Sequence, residues 1–215
     1  MNILQVFKTF SNIKTLRLYL SAIPIRAYKR IDGWLSLNEA YHLYVGAQSL
    51  PANATVVEIG SWKGKSTYCL AKGLRSGTVY AIDPFNSDGE EGSKQVYEKK
   101  AANEDLLNEF KTNMSATGVS KNVVPKKGYS KDFINEFKKI DFLFIDGDHS
   151  IEGAKFDFES YSPMLAKGGL IAFHDYDSVR NQLGPWVVIE SIIKKSGNYE
   201  EVGVYDTLWM GRKIK

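Results

Sequence analysis

The feature that most constrains this chain is an alternation. Short apolar runs recur over residues 55–59, 78–82, 122–126, 141–145 and 170–173. Between them lie stretches of helical patterning, over 66–74, 104–117, 130–137 and within 152–165. Strands this apolar, alternating with helices, predict a parallel sheet covered on both faces. A further helix over 186–195 leads to runs over 200–204 and 207–210, which flank Tyr205 and Asp206 and predict an antiparallel pair. The expected fold is therefore α/β: a doubly wound, mostly parallel seven-stranded sheet with a C-terminal antiparallel strand pair. A length of 215 residues suits one such domain. Upstream, Ser36, Leu37, Asn38 and Glu39 form a capping-box pattern that opens a helix to about residue 49, and Pro51 ends it. The domain is placed over residues 36–215, behind a basic helical arm over 1–35. No internal repeat or low-complexity linker interrupts it.

Doubly wound sheets bind ligands beyond the carboxyl ends of their strands, so those ends show where chemistry can occur. Glu58 and Gly60 stand at the first, Asp83 at the second, and Gly128 and Ser130 at the third. Asp146, Gly147, Asp148 and His149 follow the fourth, and His174 and Asp175 the fifth. A purely structural domain has no reason to gather polar groups and glycines along one edge.

The turn after the first strand reads VVEIGSWKGKST, which at a glance resembles a phosphate-binding loop. A P-loop needs four residues between its glycines, and only Ser61, Trp62 and Lys63 separate Gly60 from Gly64. The dinucleotide fingerprint also fails, because Trp62 and Lys65 occupy positions that require glycine. An acid ending the second strand can hold the two hydroxyls of a ribose, so Asp83 suits a nucleoside without a pyrophosphate; the alternative is a cap on the turn at Pro84. Glu58 can accept from a cationic amino group or orient the glycine loop. Gly60 allows close backbone approach.

Asp146, Asp148 and Asp175 carry the stronger signal. Three carboxylates at adjacent strand ends repel one another unless protons or a cation intervene, and a hard divalent cation with oxygen ligands would relieve the repulsion. His149 and His174, two of the three histidines, flank them and suit proton transfer. The plainer alternative makes residues 146–148 a turn with His149 capping a helix. That leaves the matching His174 and Asp175 one strand over without a reason.

Composition narrows the rest. Charged residues are 25% and hydrophobic residues 43%, which excludes a disordered chain. A net charge of +3 does not by itself imply nucleic acid, and no aromatic–basic module accompanies it. The single cysteine, Cys69, excludes an internal disulfide and fits a reducing, cytoplasmic location; among Leu70, Ala71 and Leu74 it reads as a small buried hydrophobe. No apolar stretch approaches the roughly 18 residues of a membrane span, and no signal-peptide pattern opens the chain. The first 31 residues hold six basic side chains (Lys8, Lys14, Arg17, Arg26, Lys29 and Arg30) and no acid, interleaved with apolar residues. Such an arm covers its own domain or a partner subunit in a homo-oligomer, or else contacts an anionic membrane peripherally.

Taken together, VVEIGSWKGKST, VYAIDPF, GYSKDF and FLFIDGDHSIEGAKFDFESYSPMLAKGGLIAFHDY resemble the class I S-adenosylmethionine-dependent methyltransferases. The nearest branch is the small-molecule O-methyltransferases of the macrocin and cephalosporin-tailoring type, methyltransferase family 24-like, over about residues 33–212. The resemblance implies a Rossmann-like methyltransferase fold with S-adenosylmethionine as cofactor. Glu58, Gly60 and Ser61 would line its methionine part, Asp83 would bind the ribose, and Gly128 and Ser130 would lie near the adenine. Asp146 would sit at the methyl-transfer end. In metal-dependent relatives the positions of Asp146, His174 and Asp175 hold magnesium, and Asp148 is placed as general base. His174 departs from the commonest pattern, a carboxylate. Either Mg2+ is held by Asp146 and Asp175 with waters, or a softer divalent cation binds, or His174 is the base without a metal.

The implied reaction is methyl transfer to a hydroxyl of a small-molecule acceptor: a sugar, a phenol or a natural-product scaffold. The candidate catalytic residues are Asp148, His149 and His174. Residues 86–100 form a candidate lid or a solvated loop, and Tyr176 and Trp186 either line the acceptor pocket or pack. Three rivals stand beside this reading. A vestigial cofactor-binding scaffold is opposed by the retained carboxylates, a nucleotide-dependent oxidoreductase by the missing third glycine, and an RNA methyltransferase by the lack of a binding module.

Overall fold

A computed structural model describes residues 13–86 and 105–215. In chain order these form α1 (Ile13–Ser21), a 3-10 segment (Ile23–Arg30), α2 (Leu37–Gln48), β1 (Ala54–Ile59), α3 (Lys65–Gly73) and β2 (Gly77–Asp83). Then come α4 (Leu106–Ala116), β3 (Val123–Lys127), β4 (Ile140–Ile145), α5 (Ile151–Tyr161), β5 (Leu165–Phe173), α6 (Gly184–Val188), β6 (Tyr199–Tyr205) and β7 (Leu208–Lys213). One seven-stranded sheet has the order β3-β2-β1-β4-β5-β7-β6. β1 to β5 pair in parallel, and β7 runs antiparallel to both β5 and β6. This is the fold that the alternation predicts.

Two apolar clusters cover the two faces. Val56, Val79, Phe142, Phe144 and Leu170 meet Leu43, Leu70 and Phe110 on one side. Val57, Ile59, Leu143, Ile145, Ile171 and Phe173 meet Phe158, Tyr161, Val188 and Ile193 on the other. Every side chain of β4 is buried, which explains the apolar run over 142–145, and the one acid, Asp141, accepts from Thr55 N. Ala22, Ile25, Tyr28 and Ile31 also belong to the first cluster, so the described part of the N-terminal arm packs onto the domain. The capping box forms as predicted: Ser36 Oγ accepts from Glu39 N, and Ser36 N donates to Glu39.

Three elements differ from expectation. Residues 130–137 form two 3-10 turns, Ser130–Asp132 and Ile134–Glu136, not one helix. The Asp132 carboxylate accepts from Tyr129 N, a local bond that caps the start of the first turn. β5 begins five residues before the expected strand: Leu165 pairs with Ile140, and a bulge absorbs Gly168, whose φ is +81°. The helix expected over 186–195 contains a π-helical turn at Ile189–Ile193. Of the candidate lid, residues 87–100 lie outside the described residues, as does residue 104, where α4 was expected to begin.

Candidate functional site

β1 sends the chain first towards β2 and β3, and β4 then returns to its other side. Strand order therefore reverses between β1 and β4, and a cleft opens beyond their carboxyl ends. Its volume is about 1650 Å³. Gly60, Ser61, Asp83, Gly128, Ser130, Asp146, Asp148, His149, His174 and Asp175 all line it. Of the residues singled out as catalytic, cofactor-binding or metal-holding, Glu58 alone does not.

One wall is a backbone frame. Gly60 N donates to Ile82 O at 2.9 Å, and Asp146 N to Ile59 O at 2.8 Å, so the three strand ends are tied together. Gly60 has φ +87°, and a Cβ there would lie 2.0 Å from the Asp146 carbonyl oxygen. Its glycine is required first by the protein's own packing, not by a ligand. The Asp83 carboxylate accepts from Trp62 N at 2.8 Å and from Phe85 N at 2.7 Å. Burial raises its pKa, while these amides favour the ionised form. Asp83 thus anchors the loop with its carboxylate on the cleft wall.

Glu58 works behind that wall. Its side chain points into the first turn of α3, where it accepts from Ser66 Oγ at 2.5 Å and from Thr67 Oγ1. Burial pushes its pKa up to about 8. Direct contact with a cofactor gives way to the second expectation, that Glu58 orients the glycine loop. Ser61 is buried, with Oγ donating to Ile82 O. Cys69 is buried with its thiol pKa pushed up by burial, the inert hydrophobe expected.

At the far end, Ser130 Oγ donates to Asp157 at 2.5 Å, and Tyr161 donates to Ser130 O at 2.6 Å. Asp157 is a buried, cleft-lining acid whose pKa burial raises to about 6. The sequence reading missed it, although a signal exists. Ala154, Asp157, Phe158 and Tyr161 fall at helical spacing on the buried stripe of α5, and an acid on an apolar stripe needs a reason.

The opposite wall is charged. His149 Nε2 lies 3.1 Å from Asp175 Oδ2 and 3.6 Å from Asp146 Oδ1. His174 Nδ1 faces the same oxygens, at 3.2 Å and 3.3 Å, and its Nε2 lies 3.4 Å from Glu39 Oε2. Arg180 donates to the other oxygen of Asp175 at 2.6 Å. Burial opposes charge on His174, but the Asp146 carboxylate, with hydrogen bonds to Asp146, Asp175 and Glu39, holds its pKa well above the usual value. Burial likewise opposes ionisation of Asp175 and Glu39. Hydrogen bonds from His149 and His174 hold Asp175 far below the carboxylate range, and His174 with the Ser36 and Thr207 groups lowers Glu39 to about 2.

Two expectations change here. Asp148 does not join the cluster: it is exposed, and its Oδ1 accepts from Ser150 N at 2.8 Å in the turn that starts α5. The ligand atoms of Asp146, His149 and Asp175 lie within 4.8 Å of one another, so His149 joins the expected metal set beside His174, whose Nδ1 faces the same two carboxylates. Tyr176 and Trp186 stack on each other with centroids 4.6 Å apart, away from the cleft, which makes them packing residues. Glu39, read from the sequence only as a cap, also accepts from Thr207 N and Oγ1, joining α2 to the loop before β7.

A doubly wound sheet thus carries a glycine turn with Asp83 on one side of its switch point and paired imidazoles and carboxylates on the other, all around one cleft. The family model described as "Methyltransferase domain" (methyltransferase family 24) matches residues 57–176, more than half the chain, and the chain belongs to this family. It is 24% identical over 167 residues to an uncharacterised protein of Sinorhizobium fredii, covering 74% of this chain and 17% of that one. It is 33% identical over 128 residues to an uncharacterised protein of Acanthamoeba polyphaga mimivirus, covering 59% and 53%. The chain thus spans at most about half the length of these curated relatives. Among solved structures, the O-methyltransferase from Bacillus cereus in complex with SAH aligns with a TM-score of 0.65 at 18% identity, over 97% of this chain and 96% of that one.

Proposed function

We propose that this domain transfers the methyl group of S-adenosylmethionine to a hydroxyl of a small-molecule acceptor. One observation carries the reading: Asp83, tied to the Gly60–Gly64 turn, faces the same cleft as the imidazole–carboxylate cluster. Family membership supports it. The residues fit the cofactor by their chemistry. Asp83 offers a carboxylate to ribose hydroxyls, and Asp157 with Ser130 presents a polar end suited to an adenine. When bound, S-adenosylmethionine supplies a methyl group already activated on a sulfonium. The attacking oxygen must lose a proton as its bond to carbon forms and the carbon–sulfur bond breaks. His149, held 3.1 Å from Asp175, accepts that proton, and Asp175, itself held by Arg180, stabilises the imidazolium.

The convergence of Asp146, His149 and Asp175 favours a second reading, in which these three hold a divalent cation that lowers the acceptor's pKa. The first experiment is calorimetric binding of S-adenosylhomocysteine to the wild type and to Asp83→Ala. Micromolar binding that falls at least tenfold in the variant supports the cofactor assignment; no binding by folded wild type sinks it. An acceptor screen with chelator and with added Mg2+ or Mn2+ then separates the two readings.

A further inference from the structure

The N-terminal arm has two faces. Ala22, Ile25, Tyr28 and Ile31 are turned into the core. Leu16, Tyr19 and Leu20 fall at i, i+3 and i+4 on α1, the spacing of a buried helical stripe, and Ile23 opens the 3-10 segment that follows, yet the four are 38%, 41%, 57% and 55% exposed. Arg17, Arg26, Lys29 and Arg30 are exposed around them, with Lys29 Nζ 5.4 Å from the Tyr19 ring centroid. No acid occurs before Asp32.

An apolar stripe held out to water beside clustered cations needs a partner that accepts both. We infer that this face docks on an anionic lipid surface, with Leu16, Leu20 and Ile23 entering the headgroup–acyl boundary and the basic side chains meeting lipid phosphates. A second copy placed on the same patch by a two-fold axis would set the cations against their own counterparts. Nucleic acid would neutralise the cations but leave the aliphatic side chains against a polar backbone. An anionic bilayer satisfies both.

Docking would also place the cleft. Near the end of the arm, the Gly33 carbonyl accepts from Lys65 Nζ at 2.8 Å at the start of α3. Gly33 and Trp34 line the cleft rim, and Trp34 lies 6.3 Å from Trp62 between ring centroids. The membrane face and the rim are thus joined through one short, pinned segment.

The test is co-sedimentation of the full chain with vesicles of phosphatidylcholine alone and with phosphatidylglycerol added. Binding to the anionic vesicles only is expected, weakening as salt rises. Leu20→Ser/Ile23→Ser and Arg26→Glu/Lys29→Glu are each expected to reduce partitioning at least tenfold, with melting curves like the wild type's. Failure of the wild type to bind anionic vesicles, or undiminished binding by both folded variants, overturns the inference. So does a dimer in solution that the Leu20→Ser/Ile23→Ser variant dissociates, or tighter binding to a structured RNA than to the vesicles. Cofactor binding is not a readout, so this inference and the methyl-transfer reading can fail separately.

Discussion

Two turns meet at the switch point of the sheet and are held by different physics. The turn after β1 is a backbone frame. Gly60 closes against the Asp146 carbonyl, Asp83 accepts two amides, and Glu58 supports α3 from below. The turn after β4 joins a charge cluster with the segment after β5 and Glu39 of α2, in which two imidazoles, three carboxylates and a guanidinium face one another. A frame tied largely by main-chain amides holds a fixed shape, as recognition of a nucleoside requires. A charge cluster changes with every proton, as moving one requires. The difference assigns binding to one wall of the cleft and chemistry to the other.

The comparison can be broken most sharply at Gly60. Gly60→Ala is expected to cost at least about 3 kcal/mol in denaturant unfolding, because a Cβ both strains a positive φ and strikes main chain that cannot yield. A loss below about 1 kcal/mol would show that the two strand ends are not locked together. On the charged wall, Glu39→Ala leaves a buried imidazolium without one of its three carboxylates. Removing one partner of a buried pair costs about 3 kcal/mol, somewhat less here because Asp146 and Asp175 remain. An unchanged midpoint would mean that His174 does not need Glu39.

Glu58 tests the frame through pH. Its folded pKa is raised from 4.5 to about 8, so between those values the folded state holds a proton that the unfolded chain releases. The contribution of Glu58 to stability is therefore greatest below pH 4.5 and falls as pH rises towards 8, levelling off above it. Glu58→Gln should remove this component, so that the difference between variant and wild type shifts in the variant's favour from pH 5 to pH 8. A difference independent of pH would place an ionised carboxylate at position 58. The smallest effect belongs to Asp148. Asp148→Asn preserves the turn and should leave stability within about 0.5 kcal/mol and turnover within about threefold. A hundredfold drop in turnover would make Asp148 the general base after all.

Much of this was legible one residue at a time. The apolar runs announced the strands because both sheet faces are covered, and the capping box opened α2 where expected. Polar residues at strand ends marked the cleft, since parallel strands bring all their carboxyl ends to one edge. The errors share a cause. Glu58 and Asp148 sit beside the right turns, but which way each side chain points depends on neighbours far along the chain. Asp157 and Glu39 were missed because each lies inside a helix, away from any strand end.

The sequence alone determined the layer order, the strand that ends in Asp83 and the two His–Asp turns, because hydrophobic periodicity and turn chemistry act over a few residues. Only the tertiary structure decided which acids face the cleft and that His149 joins His174 beside Asp146 and Asp175. It also decided that the arm shows apolar residues to water. Those outcomes depend on distances between segments more than a hundred residues apart in places, as between Glu39 and His174, which local pattern cannot encode.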